Sequence, residues 1–198
     1  NLKSGEFEKA EAIALQLKEN YGGERTIFYF RALNYTQGKY KEALAPIEEF
    51  EPELMQNPPV LNPSNEGWAG TTVVLFRELG RNEEADLLAE KYCEYLENKE
   101  VGEGLRLDEK FNKFSCLLVS NNTDETIELI EDLYFNENWK RRWPEGLVFN
   151  TIPTDLKKSE EFKNIVKKVY ADLHAQRANV IEYLKAEGEW KEEWEVRN

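Results

Sequence analysis

The stretch TQGKYKEALAPIEEF, residues 36–50, decides the fold, because it spaces a glycine, an aromatic residue and an alanine between two helical patterns. Gly38 suits the left-handed backbone conformation that ends a helix. Ala43 follows five residues later, and its small side chain lets the backbones of two helices come close. The stretch therefore predicts a tight turn and the second helix of an antiparallel helical hairpin.

The same spacing recurs along the chain. Three glycines each precede an alanine by five residues: Gly5 and Ala10, Gly38 and Ala43, Gly80 and Ala85. A fourth copy carries Asn121 and Thr126 at the corresponding positions, and asparagine is the next-best residue for a positive φ. Apolar residues follow each turn at helical intervals, so we predict a series of hairpins and an all-α fold.

This plan resembles the tetratricopeptide repeat (TPR), a helix-turn-helix unit of roughly 34 residues that stacks into a solenoid. The best copy is RTIFYFRALNYTQGKYKEALAPIEEFEP, residues 25–52. The resemblance covers residues 1 to about 136 and implies an alpha-alpha superhelix whose first repeat is truncated at its N-terminus. The later turns are 42 and 41 residues apart instead of 33, so we expect irregular insertions at 52–65 and 98–106.

A different pattern begins after Asn136. Residues 138–162 contain two prolines and a glycine and predict an extended connection. The segment from Ser159 to about Glu187 carries one apolar stripe, which predicts a long helix that caps the last repeat. We therefore expect residues 1–136 to form the repeats, and residues 137–198 to form the connection, the capping helix and a tail that pack with the repeats as one unit.

The charge of the chain limits its partners. The 198 residues carry a net charge of −13, whereas nucleic-acid backbones and anionic membranes attract proteins through Lys and Arg. We therefore expect no nucleic acid and no membrane contact in this fragment, and the resemblance implies a protein or peptide partner. The sequence leaves the compartment open between cytoplasm and periplasm.

Signals of catalysis are weak. His174 is the single histidine and has no neighbouring Cys or Ser pattern. The sequence contains no phosphate loop, dinucleotide fingerprint, zinc spacing or EF-hand loop. Cys93 and Cys116 fall in helical apolar patterns, so we expect free thiols that pack as small hydrophobes, since a disulfide would require an oxidising compartment. We expect neither enzyme activity nor a cofactor or metal site.

The resemblance implies that the first helix of each hairpin lines a concave groove. The residues expected to bind a peptide there are Arg25, Phe28, Tyr29 and Tyr35. Aromatic side chains supply contact area at low entropic cost, which is why they anchor interfaces. The alternative is that these rings belong to the core.

Two pairs of tryptophans lie outside the repeats. Trp139 and Trp143 flank a basic run and are expected to hold the connection against the repeats. Trp190 and Trp194, four residues apart near the C-terminus, leave open docking on the body or on a second copy as a weak homo-oligomer.

The sequence therefore predicts a non-catalytic TPR-like scaffold that binds a protein or peptide in a concave helical groove. An alternative is the C-terminal sensory or regulatory domain of a larger bacterial signalling protein, such as a membrane-anchored transcription regulator or an adenylate cyclase. The truncated first repeat and the run ADLHAQRANV, which resembles the tail of bacterial signalling-linked repeat proteins, motivate this alternative.

Overall fold

A computed structural model describes residues 24–99, 106–136 and 152–191, together with residues 9, 12, 13, 15 and 16. Every regular element in these ranges is helical and none is a strand, so the all-α prediction is confirmed. The α-helices are α1 (Glu24–Thr36), α2 (Tyr40–Phe50), α3 (Glu66–Glu78), α4 (Asn82–Asn98), α5 (Arg106–Val119), α6 (Thr123–Glu131), α7 (Thr154–Lys158) and α8 (Glu160–Ala186). A 3-10 helix covers Pro52–Met55, and a π-helical turn covers Asp132–Asn136.

In the part of the chain that the structure describes, three helical hairpins follow one another: α1 with α2, α3 with α4, and α5 with α6. Each turn contains one residue with positive φ: 72° at Gly38, 74° at Gly80 and 55° at Asn121. In each turn a backbone N–H also donates to a carbonyl five residues earlier, as in Lys39 to Asn34 at 2.9 Å. This is the bond pattern of the Schellman cap, so the predicted helix ends are confirmed at these three turns.

Small residues mark the places where the helices of each hairpin approach. Ala43 and Ala85 are 0% exposed, and Thr126 is 1% exposed. The hydroxyl of Thr126 donates to the carbonyl of Asn122 at 2.6 Å, so its polar group is satisfied in spite of its burial. The predicted burial is confirmed at these three positions, whereas Gly5 and Ala10 lie outside the described residues.

Consecutive hairpins also touch each other. Helix α2 packs on α3, and α4 packs on α5, while α3 and α5, the first helices of two hairpins, touch directly. Gly70 on α3 lies where these helices pack closely: a Cβ atom there would be 3.4 Å from the Tyr92 ring and 3.6 Å from the Val119 side chain. Burial of apolar side chains between successive helices is the main stabilising contribution to such an arrangement.

The insertion at residues 52–65 is an ordered loop. Leu54 in its 3-10 helix is buried in the core, and Val60 N–H donates to the carbonyl of Glu53 at 3.0 Å. The side chain of Asn65, which is fully buried, donates to the carbonyl of Val60 at 3.0 Å. The sequence predicted an irregular loop here, whereas its first four residues, Pro52–Met55, form a 3-10 helix that begins at the proline.

The two cysteines form a disulfide, so the expectation of free thiols is corrected. Cys93 lies on α4 and Cys116 on α5, with Cα atoms 5.2 Å apart. This separation is within the range that a disulfide spans. No local pattern in the sequence indicated the bridge, because the pair meets only after two neighbouring hairpins have packed.

The chain folds as two units, Asn1–Leu156 and Lys157–Asn198. The second unit consists mainly of α8, whose bounds agree with the predicted long helix. Ser159 begins it by accepting a hydrogen bond from Phe162 N–H at 3.1 Å, and Phe162, Ile165 and Val169 are its buried residues. The capping role of α8, the division after residue 136 and the packing as one unit stay predictions. None of the described helices has both the length and the apolar character needed to span a membrane.

Candidate functional site

The four predicted groove residues lie on helix α1. Arg25 and Phe28 belong to this helix, but their side chains are outside the described part of the structure. The side chain of Tyr29 is 44% exposed, whereas Tyr35 is half-buried. The two tyrosines therefore occupy different environments, and the peptide-binding role of all four residues stays a prediction.

Tyr35 contacts a distant part of the chain. Its hydroxyl donates to the carbonyl of Ile152 at 2.8 Å, and its ring centroid lies 5.5 Å from that of Tyr40. Burial raises the pKa of Tyr35 above its usual value, and the negative charge of Glu78 adds to the shift. Tyr35 thus acts first as an anchor for the chain's own backbone.

Residues 152–156, which we call the strap, lie near the C-terminal ends of α1, α3 and α5. Ile152 and Leu156 are 2% and 4% exposed. The hydroxyl of Thr154 donates to the carboxylate of Glu78 on α3. Leu156 also borders a cleft of about 210 Å³, and Leu118 of α5 borders the same cleft. The strap therefore covers the Tyr35 end of α1, and Tyr35 is one of the residues that the sequence predicts to bind a peptide.

A buried arginine joins helices α1 and α3. Arg31 is 3% exposed, its Nη1 donates to the hydroxyl of Thr71, and its guanidinium lies 5.6 Å from the Trp68 ring centroid. Burial lowers the pKa of Arg31 to about 10, so the side chain still carries its charge at neutral pH. This residue joins the two helices instead of facing solvent.

A second arginine joins α3 to the turn after α5. Arg77 donates to the carbonyl of Val119 and, at 3.1 Å, to the side-chain oxygen of Asn121. Its other terminal nitrogen pairs with Asp86 at 3.1 Å. Hydrogen bonds from a guanidinium to a carbonyl and a turn residue fix both distance and direction. Arg77 thereby holds two first helices in one arrangement.

Aromatic side chains occur near the surface on each first helix. Tyr29 on α1 and Phe111 on α5 are exposed, and Trp68 on α3 is half-buried against the Arg31 guanidinium. Exposed aromatic rings in a well-ordered framework are the usual anchors of protein interfaces. Sequence reasoning singled out Tyr29, 9 residues before Gly38, but passed over Trp68 and Phe111, which lie 12 and 10 residues before the turn residues Gly80 and Asn121.

A cleft of about 400 Å³ lies beside the insertion loop. It is bordered by the loop, by Phe76 of α3 and by the first turns of α4, and we call it the insertion cleft. Apolar side chains of all three elements line it, and the carboxylates of Glu83 and Glu84 border it as well. No sequence pattern indicated a cleft here, because its walls come from a loop and two helices that lie apart in the chain.

The described residues contain no cluster of three or more His, Cys, Asp or Glu side chains able to hold a metal ion. His174 is exposed on α8. Trp190 lies near Lys185, whose Nζ is 5.5 Å from the ring centroid. Trp139, Trp143 and Trp194 lie outside the described residues, so their predicted roles stay predictions.

No protein-family model, curated protein or solved structure matches this chain. The resemblance to tetratricopeptide repeats therefore stays a prediction that rests on the turn and crossing residues.

Proposed function

We propose that this protein is a non-catalytic, TPR-like scaffold that binds a protein or peptide segment on the surface of its first helices. The observation that carries the proposal is the threefold repetition of one hairpin plan. Each turn has a residue with positive φ, and each hairpin buries a small residue five positions later. Such stacked hairpins build extended binding surfaces in repeat proteins.

Side-chain contacts between the first helices support a binding role. Arg31 joins α1 to α3, and Arg77 joins α3 to the turn after α5, so hydrogen bonds link each first helix to the next hairpin. A partner segment that binds to a rigid surface loses its own conformational entropy but causes little further loss in the scaffold. The aromatic side chains of the first helices supply the contact area.

Because the strap occupies the C-terminal end of α1, we place the proposed site nearer the N-terminal end of this helix. Tyr35 and Glu78 already contact Ile152 and Thr154, so a partner would meet these positions only after displacing the strap. Tyr29 is exposed and lies nearly two turns before Tyr35 on the same helix. We therefore assign the role of main anchor to Tyr29.

Tyr29→Ala tests this assignment. We expect the variant to lose binding of the partner by about tenfold or more, as at an interface hot spot, with a melting temperature close to that of the original chain, because the ring is exposed. The measurement is quantitative capture of partners from extracts of the source cell on immobilised protein, followed by titration of the retained protein.

Phe50→Ala is the matched control, since Phe50 is 53% exposed but lies on a second helix, α2. It should retain the same partner at full affinity. Equal capture by the original chain and by Tyr29→Ala would contradict the proposal. The alternative of a regulatory domain in a larger signalling protein, and that of a weak homo-oligomer, stay predictions that no described contact favours.

A further inference from the structure

The insertion cleft combines an apolar floor with an acidic edge. Leu54 and Phe76 are buried at its base, and Met55 and Leu87 are half-buried along its sides. Glu83 lies at the edge in the first turn of α4 and is exposed. Pockets that combine apolar side chains with a few well-placed polar groups are the usual form of binding sites.

The loop that forms one wall is fixed before any ligand arrives. Glu53 is central to it, since its carboxylate accepts from the Asn62 side chain at 2.6 Å and its carbonyl accepts from Val60 N–H at 3.0 Å. Asn65, fully buried, closes the loop by donating to Val60. Compact ordered loops of this length are frequently functional. A pre-formed wall also reduces the entropic cost of binding.

The charges around the cleft favour a cationic ligand. Arg81 is bound to Glu84 at 2.6 Å and to Glu48 at 3.2 Å, and its guanidinium lies 4.1 Å from the centroid of the Phe76 ring. The carboxylate of Glu83 makes no hydrogen bond or ion pair with the described residues. Glu83 and Glu84 border the cleft, and Glu48 lies nearby as a partner of Arg81, whereas none of the described lysines borders it. Complementary charge at an edge speeds association and selects among partners.

We propose that the insertion cleft binds an extended peptide segment in which a Lys or Arg stands within two positions of an aliphatic residue. The aliphatic side chain occupies the floor between Met55 and Leu87, and the cationic side chain pairs with Glu83. The inference rests on the proposed peptide-binding role but assigns it a second surface, separate from Tyr29.

A phage-displayed library of random dodecapeptides, selected on the immobilised full chain, tests the proposal. We expect enrichment of sequences that carry Lys or Arg within two positions of Leu, Ile or Met. The best peptide, labelled with fluorescein, should bind the chain more weakly as NaCl is raised from about 50 to about 300 mM, because salt screens the edge charge. Enrichment of acidic or purely apolar sequences would overturn the proposal.

Variants of one carboxylate locate the site. Glu83→Gln should weaken binding of the labelled peptide by about three- to fivefold, the size of an exposed ion pair, and Glu83→Lys should weaken it further. Glu90→Lys makes the same charge change on an exposed residue of the same helix outside the cleft and should leave the affinity within about twofold. Equal losses for Glu83→Lys and Glu90→Lys would show a general charge effect and overturn the site.

Two further results separate this inference from the proposed function. Selected peptides that lose binding with Tyr29→Ala but not with Glu83→Lys would support the first-helix surface and overturn the cleft. Peptides with the opposite behaviour would support the cleft alone. A chain that forms dimers dispersed by Leu87→Asp, measured by sedimentation, would identify a second copy as the occupant and overturn the peptide proposal.

Discussion

Three glycines of this chain meet different physical demands. Gly80 has a φ of 74°, a conformation that is unfavourable for a residue with a Cβ atom, and a Cβ there would meet no atom within 4 Å. Gly67 lies in helix α3 without a positive φ and also has free space around it. Gly70 has ordinary helical geometry but close neighbours. The backbone angle, and not space, is therefore what requires glycine at the turns.

Gly80→Ala should lower the free energy of unfolding by about 1–2 kcal/mol, because alanine must adopt the left-handed conformation. Gly67→Ala should raise it by about 0.5–1 kcal/mol, since alanine restricts the unfolded chain and favours helix. Urea unfolding followed by circular dichroism measures both changes. The interpretation of the turn fails if the two variants shift stability in the same direction.

Individual positions were predictable where a single local rule applied. Gly38, Gly80 and Asn121 were identified by the need for a positive φ, which is a property of the residue and its turn. Arg31 was not understood from the sequence, because its partners Thr71 and Trp68 lie on the next hairpin. The environment of Tyr35 was missed for the same reason. A side chain whose surroundings come from remote residues carries no local signal.

The elements were predicted better than their connections. The helical periods and turn residues indicated the three hairpins, but the order inside the 52–65 insertion depends on hydrogen bonds among Glu53, Val60, Asn62 and Asn65. Asparagine and proline in a sequence indicate irregular structure without saying how it is ordered. The pairing of α4 with α5 that brings the two cysteines together likewise depends on how one hairpin packs on the next.

Reduction of the disulfide should destabilise the packing of α4 on α5. The bridge joins residues 23 positions apart. Closing a loop of that length lowers the entropy of the unfolded chain enough to stabilise the folded state by about 3 kcal/mol. Urea unfolding with and without a phosphine reductant measures this difference.

The variant with both Cys93→Ser and Cys116→Ser is the control. It should show the stability of the reduced chain and no response to the reductant. Identical unfolding midpoints for the oxidised and reduced original chain would contradict the expected contribution of the bridge.

At the level of the first unit, the strap connects parts of the chain that are far apart in sequence. The hydrogen bond from Tyr35 to Ile152 spans 117 positions, and Thr154 adds a contact to Glu78. The sequence predicted an extended connection over residues 138–162, but Thr154–Lys158 within it form helix α7, and the sequence did not indicate where the connection would lie. A segment without hydrophobic periodicity offers no pattern from which its position on the helices could be inferred.

The Tyr35 contact predicts a dependence of stability on alkaline pH. The pKa of Tyr35 is raised above its usual value of 10.0 by burial and by Glu78. The folded chain therefore keeps a proton that the unfolded chain releases above that value. This stability is fully present below about pH 10 and is lost as the pH rises beyond it.

Tyr35→Phe should lower the free energy of unfolding by about 1 kcal/mol at neutral pH, because the hydrogen bond to Ile152 is lost. Above about pH 10 the variant should lose less stability than the original chain, since it has no phenol to titrate. Urea unfolding at a series of pH values measures how the free energy of unfolding of each chain changes with pH. Arg31, whose pKa is lowered to about 10, is present in both chains, so its titration contributes equally to both and does not affect their difference. Tyr29→Phe, at an exposed ring, is the control; parallel curves for Tyr35→Phe and the original chain would contradict the prediction.

The strap has a further consequence for biosynthesis. Most interactions of a repeat protein join neighbours, so each hairpin can fold soon after it leaves the ribosome. Helix α1, in contrast, gains its bond to Ile152 only after another 117 positions have been translated. At typical elongation rates this delay is roughly ten seconds. During that interval the bond of the Tyr35 hydroxyl to Ile152 is still missing, so this end of α1 reaches its final burial only after the strap has been synthesised.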